Sequence, residues 1–172
     1  MHYYHHPILA VLLNSIHADI PNPILWEAEA EGEQLDDHGL KGGCSKLTTI
    51  KRLPLPKITL EQRVEFAIRC AMKCEHNTHW KKWADNWLSG KGSSIPEISN
   101  LLMFEPGFKL IESLYDLSLK TAYCYLTDRV LRTEELAAST IELAANESER
   151  ENSVFPLDLN QVIKQVFPNY KG

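Results

Sequence analysis

Residues 59–90 constrain the fold more than any other part of this chain. From Leu60 the apolar side chains fall at Leu60, Val64, Ala67, Ile68, Ala71 and Cys74. Steps of three and four place them on one side of a helix. Thr59 predicts an N-cap, and Glu61 suits the first turn, near the positive end of the helix. His76, Asn77 and Thr78 interrupt the pattern, which resumes at Trp80, Trp83, Ala84, Trp87 and Leu88. Gly90 suits the left-handed residue that ends such a helix. The stretch predicts a helical hairpin with a polar corner at 75–78.

Two functional readings attach to this hairpin. Trp80, Trp83 and Trp87 form a stripe that would serve as a contact surface if exposed, because aromatic anchors dominate interfaces. The same stripe next to Ala84 and Leu88 also suits a core packed on the preceding helix, and the core reading ranks first. Cys70, Cys74, His76 and His79 combine thiols and imidazoles, the donor set of a zinc site. Structural zinc sites usually bring together two short knuckles across a longer spacer, and a second knuckle is missing here. Core cysteines with solvent-facing corner histidines are the simpler expectation. No cofactor is expected, with zinc as the alternative.

The string Arg63 to Cys74, followed by Trp80-x-x-Trp83-Ala84-x-x-Trp87-Leu88-Ser89-Gly90-Lys91, resembles part of a group of small helical bacterial proteins of the immunity (toxin-neutralising) type. The likeness spans about one sixth of the 172 residues. It implies a binding role and supplies no catalytic residues.

Elsewhere the signals are local. Pro7 and the run Ile8-Leu9-Ala10-Val11-Leu12-Leu13 predict a helix over 7–18. The run is too short to span a membrane, and the Lys or Arg that a signal peptide carries before its apolar run is missing. Residues 27–37 hold Glu27, Glu29, Glu31, Glu33, Asp36 and Asp37 without a base, whereas 41–57 hold five Lys or Arg without an acid. These two runs are expected as solvated, mutually compensating segments, or else as a docking surface. Residues 47–53 suggest one short strand, and 20–58 is otherwise expected to be irregular. Cys44, among glycines and lysines, would be a nucleophile if His38, His76 or His79 approached it; an incidental thiol in a turn is the plainer reading. Residues 90–94 fail the phosphate-loop pattern, since Gly92 follows the lysine.

Further helices are expected from Ser94 to Met103, from Phe108 to Leu131, from a Thr133 cap onward, and after an Asp158 cap. Asn146 to Ser153 is expected as a surface loop. Together these predict a single all-α domain of six or seven helices. A net charge of −5 gives no reason to expect nucleic acid as the partner. Four cysteines form no disulfide framework in a chain of this length, so a reducing cytoplasm is expected. With no catalytic motif in view, the leading expectation is a non-catalytic module that binds another protein. Its contact surface would lie at Glu27, Glu29, Glu31 and Glu33 and on the Trp hairpin.

Overall fold

In the computed structural model, which describes residues 1–37, 39–103, 113–150 and 157–170, the predicted hairpin is present. Helix α3 spans Leu60–Cys74 and α4 spans Thr78–Leu88. Thr59 Oγ1 accepts from the Gln62 amide at 3.1 Å, while the Gln62 side chain accepts from the Thr59 amide at 3.0 Å. This reciprocal capping box satisfies two amides that the first helical turn leaves without partners. Asn77 then caps α4, accepting from the amides of His79 and Trp80, and Gly90 takes a φ of 74° beyond its end.

The remaining helices are α1 (Pro7–Leu12), α2 (Asn14–His17), α5 (Ile95–Met103), α6 (Leu114–Leu126), α7 (Val130–Arg150) and α8 (Leu159–Val166). Helix α3 is central and packs on α4, α6, α7 and α8, while α6 also packs on α5 and α7. One contiguous core takes Ile8, Leu9 and Leu12 from α1, Val64, Phe66 and Ile68 from α3, Ile141 from α7 and Ile163 from α8. Small residues in α7 (Ala137, Ala138, Ala144, Ala145) are fully or almost fully buried, so the facing helices can approach closely. Buried Ser118, Thr121 and Thr140 return their hydroxyl protons to carbonyls four residues earlier, at 2.7 Å each. That removes the desolvation cost these groups would otherwise carry.

The all-α expectation is overturned. Besides eight helices among the described residues, the chain forms a three-stranded antiparallel sheet of order β1-β3-β2. Its strands are β1 (His2–Tyr3), β2 (Leu25–Asp37) and β3 (Lys41–Leu53). The fold is therefore mixed, and the description as a helical bundle fails with it. Segment 20–58 is not irregular, and the short strand expected at 47–53 is the end of a longer one. The physical reason lies in the acidic run, where Trp26-Glu27-Ala28-Glu29-Ala30-Glu31 alternates with period two, the period of a strand.

Smaller corrections follow the same line. The helix expected over 7–18 breaks at Leu13. The helix expected to reach Leu131 stops at Leu126, and α7 begins at Val130. Between them Asp128 adopts a φ of 55°, a conformation that Asp tolerates better than most residues and that no helix continues. Thr133 is not a cap but a buried residue inside α7, donating to the Arg129 carbonyl at 2.9 Å. Residues 146–150 continue α7 rather than forming a loop. Asp158 does cap α8, accepting from the Gln161 amide. The expected helix start at 108–112, the stop at 105–107 and the loop residues 151–153 lie outside the described residues.

Candidate functional site

The tryptophan stripe divides. Trp80 is 0% exposed and Trp83 2%, so neither offers a surface to a partner. Their indoles are held from within: Trp80 Nε1 donates to Ser118 Oγ and Trp83 Nε1 to Ser93 Oγ, both at 2.9 Å. Ring contacts continue outward from Trp80 through Trp83 and half-buried Trp87 to Tyr125, with centroids 5.8 to 6.1 Å apart. The stripe is a core ladder with a partly accessible end.

The four candidate zinc ligands are not brought together. Cys70 is fully buried, and burial, reinforced by nearby Cys74, pushes its thiol pKa far up. Cys74 donates to the Ala144 carbonyl at 3.4 Å, whereas His76 and His79 lie exposed at the corner. Among the described residues no group of three or more His, Cys, Asp or Glu is placed to share a metal ion. Cys44 sits in β3 rather than in a turn. It is buried, and its thiol donates to the Lys46 carbonyl at 3.2 Å, where a nucleophile would face an imidazole. His38 lies outside the described residues.

The acidic and basic runs, in contrast, do meet. They are the two strands of one hairpin, in register Glu27↔Lys51, Glu29↔Thr48 and Glu31↔Lys46. Lys51 Nζ lies 3.0 Å from Glu27, and Lys46 Nζ lies 2.8 Å from Glu31. The opposite face carries Trp26↔Arg52, Ala28↔Thr49 and Ala30↔Leu47. Among the described residues only the turn end joins the core, through Leu40 and Cys44. β1 pairs there at Gly42 and Gly43. From Trp26 to Asp36 nearly every residue of β2 is exposed, and from Ser45 to Arg52 nearly every residue of β3. Large apolar side chains are among them: Trp26 is 53% exposed and Ile50 59%, with Ile24 and Leu55 exposed beside the same end.

A second polar cluster was not foreseen. Tyr4 Oη lies 2.9 Å from His17 Nδ1, and His17 Nε2 lies 3.0 Å from Glu142 Oε1. Burial, then the charge of Glu142, raises the Tyr4 pKa. The imidazole is fixed by a carboxylate as in a catalytic base, yet the hydroxyl it faces belongs to a weakly acidic phenol. The arrangement ties α2 to α7. Nearby, the largely buried Arg63 donates to the carbonyls of Val11 and Leu12 at 3.4 and 3.3 Å. Its Nε lies 3.3 Å from Glu134 without an aligned hydrogen bond, so Glu134 supplies charge rather than geometry. No local pattern signals either cluster, since His17 and Glu142 are 125 residues apart.

A groove of about 560 Å³ between α4 and α5 is lined by His79, Lys82, Asn86, Glu97 and Asn100, with Trp83 at its floor. No described helix is long and apolar enough to cross a membrane. No family model, curated protein or solved structure matches the chain.

Proposed function

We propose that the chain is a non-catalytic protein-binding module of the toxin-neutralising kind, working in a reducing cytoplasm, and that the β2–β3 ribbon carries the contact. The observation that supports this reading is the exposed ribbon itself. Trp26 and Ile50 stand more than half exposed on a two-stranded element that gives only its turn end to the core. An exposed tryptophan among small and charged neighbours is the kind of anchor that dominates binding energy at interfaces. The limited resemblance of residues 63–91 to immunity-type proteins points the same way. Four buried cysteines, none in a disulfide, agree with a reducing compartment.

The test compares the tagged wild type with a Trp26→Ala/Ile50→Ser variant in capture from native lysate, read by quantitative mass spectrometry. A Lys82→Ala variant in the α4–α5 groove serves as a control. One stoichiometric protein held by the wild type and by Lys82→Ala, but lost with the ribbon variant, is the expected result. Its toxicity should then be suppressed by the chain at equimolar ratio. Equal capture by all three forms, or capture by none, defeats the assignment.

A further inference from the structure

β2 is the outermost strand of the sheet along its whole length, from Leu25 to Asp37. In an antiparallel ladder about half of the residues of such a strand direct their N–H and C=O groups away from the neighbour. No described strand lies on that side of β2, where one carbonyl of the strand, that of Ala30, accepts from the Gln34 side chain at 3.3 Å. Open edges are usually blunted by lysine, proline, shortness or irregularity. The β2–β3 pairing carries two irregularities, one where Ile50 is the extra residue between the Glu27 and Ala28 pairs and one where Gly32 and Glu33 oppose Ser45, but β2 holds no proline and no lysine. Its charges decide what can approach. Glu27 and Glu31 are matched by Lys51 and Lys46. Glu29 faces Thr48 and Glu33 lies in the bulge, and neither forms an ion pair with a described residue. A second β2 strand would bring glutamate against glutamate, and like charges directly opposite are destabilising.

We infer that the β2 edge accepts one extended segment of another protein, with Lys or Arg at every second position, added as a fourth strand beside β2. Main-chain hydrogen bonds to the outward groups supply affinity, and Glu29, on the face it shares with Glu27 and Glu31, selects the basic side chains, with Glu33 adding negative charge from beyond the bulge on the other face. The inference rests on the protein-binding reading above and adds the chemistry of the partner.

The probe is a nine-residue peptide of alternating threonine and lysine, titrated calorimetrically into the full chain. Three controls accompany it. One peptide has glutamate in place of lysine, one is N-methylated at alternate residues to remove the amides of one edge, and the third control is a Glu29→Lys/Glu33→Lys variant checked for an unchanged unfolding midpoint. A Glu29→Gln/Glu33→Gln variant replaces it if the reversal disturbs folding. The lysine peptide should bind saturably and the glutamate peptide should not. N-methylation should weaken binding about tenfold or more, and the charge variant should weaken it about fivefold or more.

No saturable binding of the lysine peptide overturns the inference. Equal binding of the N-methylated peptide does so too, because the contact is then purely ionic. Self-association in sedimentation velocity that the charge variant abolishes means the edge is taken by a second copy, which also overturns it. A lysate partner kept by the Glu29/Glu33 variant but lost by Trp26→Ala/Ile50→Ser leaves the protein-binding reading standing and sinks the strand-addition inference alone.

Discussion

His6 makes a bond that depends on its own protonation. Its Nδ1 accepts from the Ile8 amide at 3.1 Å and so caps α1, which only an unprotonated ring nitrogen can do. Its ring packs against Tyr170, and burial lowers its pKa from the ordinary 6.5. The unfolded chain therefore takes up the proton first. The stabilisation is complete above pH 6.5 and is lost as the pH falls through the lower folded value. His6→Asn keeps an acceptor at the cap and removes the titration. As the pH falls below 6.5 its unfolding midpoint should vary less than that of the wild type. Parallel pH profiles of the two proteins would refute this. Residue-scale features differ in how far they can be read. Thr59 and Asp158 cap helices in the residue type and position that chain chemistry favours, and both are visible in the sequence. A histidine cap is not, because histidine offers an acceptor in only one of its charge states.

Among the elements, the helical hairpin is legible because its apolar spacing repeats every 3.6 residues for long enough to exclude a strand. The ribbon is not, because charge conceals its period. The residues that alternate with glutamate in β2 are mostly small, so the run reads as acidic before it reads as alternating. Its 13-residue strands also exceed the usual length of about five or six. The joint between ribbon and body is tight at Gly42, which β1 pairs with Tyr3. A Cβ added at Gly42 would run into the Tyr3 ring. Gly42→Ala should therefore destabilise by about 1–3 kcal/mol. The same change made in a Tyr3→Ala background should cost clearly less, as read by urea denaturation of the four proteins. Equal costs in both backgrounds would show that the ring is not what glycine accommodates.

At the scale of the molecule, helices α3 and α7 share the core, while the ribbon beyond Ser45 buries little. Free energies of local opening follow buried contact and backbone pairing. Amide hydrogen exchange should therefore be slowest in α3 and α7. It should be intermediate for the ribbon amides that face the neighbouring strand and fast for those on the outer edge of β2. Ribbon edge amides as slow as those of α3 would contradict this layering. The pairing of β1 with β3 and of His17 with Glu142 is beyond local sequence reading, since each joins segments separated by tens of residues or more. The same holds for the candidate contact surface: the acidic residues were visible, but the open edge they stand on exists only once the sheet has formed.

The central position of α3 also sets an order of events during synthesis. Its partners α6, α7 and α8 all lie later in the chain. A ribosome adds about 5–20 residues per second, so the apolar side of α3 waits roughly several seconds for α7 to emerge. α4 follows at once and brings Trp80 and Trp83 as the first cover. The N-terminal segment waits as well, because Glu142 must appear before His17 can dock on it. Closure is thus deferred until α7 and α8 have been made.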